Sequence, residues 1–129
     1  IWLIPAIRMK AGREHRVPLF PRVVEILMSV RQFNSPYLFP NAKGGKLSSA
    51  AMHEFLRHRE DDATVHGFRS TFTDWASECT GHANEAIQLA KAHAIPDKVE
   101  RAYRRGDLLD KRRELAKDWE SFCLSGLQQ

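Results

Sequence analysis

Lys10, the pair His66 and Arg69 within His66-Gly67-Phe68-Arg69, and His93 followed ten residues later by Tyr103 are the residues of this 129-residue chain whose types and spacing could do chemistry. A guanidinium presents two parallel donors that match the non-bridging oxygens of a phosphate, so Arg69 is suited to hold one as charge on those oxygens changes. His66 lies three residues earlier, which on a helix sets both side chains on one face, within reach of one phosphate. The ammonium of Lys10 can deliver a proton to a leaving hydroxyl. Tyr103 is a weak nucleophile at its ordinary pKa near 10: forming phenolate at pH 7 costs about 4 kcal/mol, which a base or a cationic pocket must offset. Each residue alone has a plainer reading. Tyr103 beside Val99 and Ala102 reads as a packed tyrosine, His93 as a surface or capped histidine, Lys10 as a solvated loop tip, and a lone His-x-x-Arg as a common pattern. The chemical reading rests on their occurring together and in order.

The elements that must position these residues follow from pattern. Ile1 to Ile4 and the branched stretch His15 to Leu19 predict two short strands, with a basic tip between them, Lys10-Ala11-Gly12-Arg13, that turns at Gly12. Pro21 opens an amphipathic helix carrying Val23, Val24, Ile26, Leu27 and Val30 and running on through Arg31. Asn34 to Lys46, punctuated by Asn, Pro and Gly, predicts a loop with one extended stretch. Ser48 or Ser49 is the expected N-cap of a helix to about Arg59, with Met52, Phe55 and Leu56 on its buried side. From Gly67 to Glu78, Phe68, Phe72, Trp75 and Ala76 form the stripe of a core-facing helix. Glu85 to Ala92 reads as a shorter helix, and Pro96-Asp97 as the turn opening another that carries Tyr103 and ends at Gly106. A terminal helix sets Leu108, Leu115, Trp119 and Phe122 on one face and Lys111, Arg112, Arg113 and Lys117 on the other.

The length suits one hydrophobic core, and 43% hydrophobic with 28% charged residues is ordinary for a globular domain. A net charge of +4 and a pI near 9.3 favour phosphate-rich partners over acidic substrates. The two cysteines, Cys79 and Cys123, fit reduced thiols in a cytoplasmic protein better than a disulfide framework. No run approaches the roughly 20 apolar residues of a membrane span. The chain opens on Ile1 inside what reads as a strand, so a piece of a longer protein is expected.

Arg8-Met9-Lys10 with Arg16-Val17-Pro18-Leu19, the box Thr64-Val65-His66-Gly67-Phe68-Arg69-Ser70-Thr71-Phe72, Ala92-His93, and the stretch from Asp97 through Tyr103 to Leu108 together resemble the tyrosine recombinases, in their phage integrase branch. The resemblance covers nearly the whole chain. It implies an α+β, mainly α-helical catalytic domain over residues 1–129, with a small antiparallel β-hairpin packed on a helical bundle, of the DNA breaking-rejoining kind. It implies site-specific recombination through a 3′-phosphotyrosine on Tyr103, with His66 as base toward Tyr103, Arg69 and His93 on the phosphate, and Lys10 protonating the leaving 5′-hydroxyl. Because the bond energy is kept in the phosphotyrosine, no metal and no other cofactor is expected. Arg13, Arg16, Arg104 and Arg105 are the expected DNA contacts. Partners are double-stranded attachment sites, further integrase protomers up to a tetramer, and DNA-bending and excision proteins, with no membrane. Localisation is cytoplasmic in a bacterium, on the nucleoid when bound. A second arginine and a clamping N-terminal domain lie upstream in the family, so this stretch alone is expected to be weak or inactive.

Two other functions fit the same residues: a non-catalytic DNA-binding remnant, which keeps the basic surface without turnover, and a type IB topoisomerase-like relaxing enzyme, which shares the chemistry without the assembly. Cys79-x-x-His82 with His93 and Cys123 could be zinc ligands, but no second paired motif accompanies them. The basic stripe Arg104, Arg105, Lys111, Arg112 and Arg113 reads either as a solvated helix face or as a DNA contact. The apolar face with Trp119 and Phe122 reads as core or as an interface with a neighbouring protomer.

Overall fold

In a computed structural model, which describes residues 1–31, 34–59, 62–93 and 106–126, the chain is mainly helical with one small antiparallel sheet. It divides into two compact units, Ile1–Phe20 with Phe72–Gln129, and Pro21–Thr71.

In the first unit, β1 (Trp2–Ile4) pairs with β2 (His15–Val17) in the register Trp2 to Val17, Leu3 to Arg16 and Ile4 to His15. A 3-10 turn, Ala6–Arg8, and a left-handed Gly12 at φ 62° reverse the chain between the strands, as the Gly12 signal predicts. The helices of this unit surround one core. Trp75 and Ala76, on the second half of α3 (Val65–Glu78), pack with Ile87 of α4 (Asn84–Ala90) and Leu115 of α5 (Leu109–Ser125), and Phe72, Ala90 and Trp119 flank them. The rings form a continuous cluster: Trp119 meets Phe72 edge-on at 5.3 Å, tilts against Trp75 at 5.0 Å and stacks on Phe122 at 5.5 Å. Hence α5 packs on α3 and α4 of its own chain. The predicted aromatic stripe is correct in its second half only. Phe68 is 57% exposed, because the helices that build this core meet α3 from Phe72 onward.

The second unit holds α1 (Pro21–Val30), α2 (Ala51–His58) and the first turns of α3. Val23, Leu27 and Val30 of α1 are half-buried, whereas Val24, Ile26 and Met28 face solvent. The intervening loop is organised by Asn41, whose Oδ1 accepts from the backbone of Lys43 and Gly45 while its Nδ2 donates to the Lys46 carbonyl. Pro40 makes an isolated antiparallel bridge to Lys46, while residues 37–39, where an extended stretch is expected, bend. Two expectations for α2 fail. Ala50, not Ser48 or Ser49, is the N-cap, and the serines contribute only the Ser48 carbonyl, which accepts from Ala51. Of the three apolar residues given to its buried side, only Leu56 is buried. Met52 and Phe55 are about 60% exposed, and the Arg59 guanidinium lies 5.9 Å from the centre of the Phe55 ring. Among the described residues no helix is long and apolar enough to cross a membrane.

Candidate active site

Thr64 fixes the His66-Arg69 box. Its Oγ1 accepts from the Gly67 N–H at 2.9 Å, capping the first turn of α3, and its carbonyl accepts from Phe68. A Cβ on Gly67 would stand 3.1 Å from that Oγ1, so glycine leaves the cap room to close. His66 is exposed and Arg69 half-buried, three residues apart on the capped turns, where inward-pointing N–H groups add positive potential.

His93 follows α4 through Ala92, which sits in the left-handed region at φ 56° and ends the helix. Its backbone N–H donates to the Gln88 carbonyl and its Nδ1 lies 2.9 Å from Gln88 Oε1, while Gln88 Nε2 donates to Asn84. With Gln88 thus oriented, Nδ1 is the donor.

Lys10 and Arg13 are exposed on the turn between the strands, as the hairpin reading expects. Arg16, on β2, points elsewhere: its Nε and Nη2 donate to Asp107 Oδ2 and Oδ1 at 2.9 and 2.6 Å. Asp107 also accepts from Arg112, and at this one position of the basic stripe neither a solvated face nor a DNA contact holds. Arg112 is 1% exposed, donating through Nη2 to Asp107 Oδ2, through Nε to the Asp107 carbonyl and through Nη1 to the Arg16 carbonyl. The helical spacing explains it. Arg112 is four residues after Leu108 and three before Leu115, so it lies within the apolar stripe, unlike exposed Lys111 and Arg113.

The bridge to Arg16, more than the Coulomb field of Arg112, holds the Asp107 carboxyl below the usual range, and the same bridge raises Arg16. Burial works against the Arg112 charge, and Asp107 offsets only part of that. The neighbouring His15 is lowered by burial and by Arg112, although its ring faces the Ala90 carbonyl, which favours the proton. Sequence reasoning missed His15, Gln88, Asp107 and Arg112; only Arg112 left a signal, its place in the stripe.

Tyr103, Arg104 and Arg105 lie outside the described residues, as does the helix expected to open at Pro96. Of the zinc alternative, His82 pairs with Asp118 at 2.7 Å, linking the end of α3 to α5. Both cysteines are free, and among the described residues no group of three His, Cys, Asp or Glu side chains is placed to hold a metal.

No family model and no solved structure matches the chain. It is similar to curated relatives. Prophage integrase IntA of Escherichia coli K12 is 31% identical over 124 residues, covering 92% of this chain and 30% of the relative. Prophage integrase IntZ of the same strain is 32% identical over 121 residues, and the integrase of Shigella phage Sf6 is 30% identical over 126 residues, covering 92% of this chain and 32% of the relative. The chain therefore spans about three tenths of the length of the relatives it matches. Nine tenths of its residues align to proteins of this one kind, so the chain is similar to a partial-length stretch of phage and prophage integrases.

Proposed function

We propose that residues 1–129 are the catalytic part of an integrase that cuts and rejoins DNA through Tyr103. The observation that carries this reading is the pairing of His66 and Arg69 on the capped first turns of α3, in a chain aligned to integrases over nine tenths of its length.

In the proposed step Arg69 and His93 bind the non-bridging oxygens of one DNA phosphate. The Tyr103 oxygen bonds to phosphorus as its proton passes to His66, and the bond to the 5′ oxygen breaks as Lys10 supplies a proton to it. A 3′-phosphotyrosine and a free 5′-hydroxyl result. The incoming 5′-hydroxyl of another strand reverses each transfer, so the protein returns unchanged and no energy source is consumed. Gln88 orients the His93 ring by accepting from its Nδ1. Arg13, Arg104 and Arg105 hold the flanking backbone of a double-stranded attachment site, and binding is accordingly salt-dependent. The upstream arginine, the tetramer of protomers and the accessory DNA-bending proteins belong to the same proposal.

The test is covalent capture. In the longest natural polypeptide containing this chain, nicked duplexes tiled across the DNA flanking the gene should yield a denaturant-stable adduct, and Tyr103→Phe should abolish it. An adduct that survives in the Phe variant removes Tyr103 from the role. Arg69→Ala should slow capture by about 10²–10³, as loss of a preorganised charge-stabilising donor does. Equal losses in capture and in salt-sensitive binding would make Arg69 a binding residue only.

A further inference from the structure

The cluster of Arg16, Asp107 and Arg112 touches none of the groups assigned a chemical role, yet its connections lead to three of them. We propose that it is a positioning device, a latch that fixes the segment ending at Asp107, and with it Tyr103, to the hairpin strand β2. The proposal rests on the reading of Tyr103 as nucleophile.

Tyr103 precedes Asp107 by four residues, so by chain length alone its Cα lies within about 14 Å of that of Asp107. Whatever holds Asp107 therefore limits where Tyr103 can go. Asp107 is held from two sides by four side-chain hydrogen bonds, two from Arg16 on β2 and two from Arg112 on α5, one of these to its carbonyl. The Arg112 donor to the Arg16 carbonyl closes the loop, so strand, linker and helix share one guanidinium. That guanidinium is almost wholly buried, which makes its geometry exacting.

A second observation points the same way. Leu108, next to Asp107, is left-handed at φ 52°, a conformation that a residue with a Cβ adopts only where its surroundings impose it. The Leu108 carbonyl accepts from the Arg112 N–H, so the strained residue lies inside the ring of bonds. The latch thus forces a sharp change of direction between Asp107 and α5. A free loop would not keep it.

The third is what else β2 carries. Lys10 stands five residues before His15 on the same hairpin, and His15 faces the carbonyl of Ala90, three residues before His93. Neighbouring residues of one three-residue strand are thereby tied to the proton donor, to the approach to the phosphate-binding histidine and to the exit from the nucleophile. Burial of Arg112 alone would be served by any carboxylate. The bidentate fork from Arg16 is what adds β2 to the arrangement.

The test uses Arg16→Lys, which keeps the charge and loses the fork, and Asp107→Glu, which keeps the charge and moves the carboxylate by one methylene. Both are made in the longest natural polypeptide containing this chain, with the nicked duplexes above as probe and thermal unfolding as a control on folding. The expected result for both is a single-turnover capture rate at saturating DNA at least tenfold lower. Apparent DNA affinity should stay within twofold across a salt series, and a bridging 5′-phosphorothiolate, which needs no proton on leaving, should not restore the rate. The proposal is overturned by an unchanged rate, by an affinity loss matching the rate loss, which makes Arg16 a phosphate contact, or by rescue with the thiolate, which assigns the defect to Lys10. If the parent protein forms no adduct with any duplex, the functional reading itself fails, an outcome separate from these three.

Discussion

Removing Asp107 should harm the fold more than removing its buried partner Arg112, and removing both should harm it less than removing Asp107 alone. In Asp107→Ala the Arg112 guanidinium, 1% exposed, keeps its two carbonyl acceptors but faces Arg16 with no carboxylate between them. Breaking a buried ion pair from one side costs about 3–5 kcal/mol. Because the Asp107 and Arg16 side chains are 35% and 41% exposed, water screens part of this, and the lower end, about 3 kcal/mol, is expected. In Arg112→Met the Arg16 to Asp107 pair survives and no charge is stranded. Three hydrogen bonds go and one desolvated charge is relieved, for a net loss of about 2 kcal/mol. The double variant removes the stranded charge that makes Asp107→Ala costly, so it should be more stable than that single variant by about 1 kcal/mol. Arg113→Met, one position along and paired with Asp110 in solvent, should stay within about 0.5 kcal/mol of the parent. Urea unfolding of the four variants at constant slope measures all of this. Additive losses at positions 107 and 112, or a loss at 113 equal to that at 112, would refute the account of the cluster.

Acidification should destabilise the parent in two stages. His15 is depressed, so its contribution is whole above the ordinary histidine value near pH 6.5 and declines as pH falls below it; the Asp107 contribution is whole above about pH 4 and is lost as its carboxyl protonates. His15→Gln should flatten the first stage of a stability-pH curve and Asp107→Asn the second, and a parent curve flat from pH 7 to 3 would contradict both. Thr64→Ala removes the α3 cap and should cost about 1 kcal/mol in urea unfolding and slow capture further through His66 and Arg69; a change below about 0.3 kcal/mol would mean the cap is not stabilising. Leu115→Ala, at a fully buried position against Trp75 and Ile87, should cost about 2–5 kcal/mol and near-ultraviolet aromatic circular dichroism should weaken with it, whereas a loss under about 1 kcal/mol would move the core elsewhere.

The hairpin, the proline start of α1 and the helices through Trp75 and Leu115 were legible because period and punctuation act locally. What a neighbouring element decides was not. Phe68 and Phe72 belong to one stripe, but only Phe72 meets the helices of the first-unit core. The serines before α2 have the right chemistry for a cap, yet the chain turns through their backbone and leaves Ala50 at the helix start. The site divides similarly. His66, Arg69, His93 and Lys10 could be picked out by type and spacing, whereas Gln88 and Asp107 show their purpose only when a ring or a guanidinium is seen against them. Arg112 was legible in principle, since its place among Leu108, Leu115 and Trp119 contradicts a solvated role. Charge drew attention away from position.

The contact between Gly67 and Thr64 bears on how such a box should be spelled. Written as His-x-x-Arg, it gives the two middle positions and everything before the histidine no content. The 3.1 Å approach that any Cβ at position 67 would make to the Thr64 hydroxyl says otherwise. A small residue at one position and a short hydroxyl or carboxylate three places earlier form a single word, and a search pattern that requires both would discard chance His-x-x-Arg matches lying mid-helix, where no cap is needed.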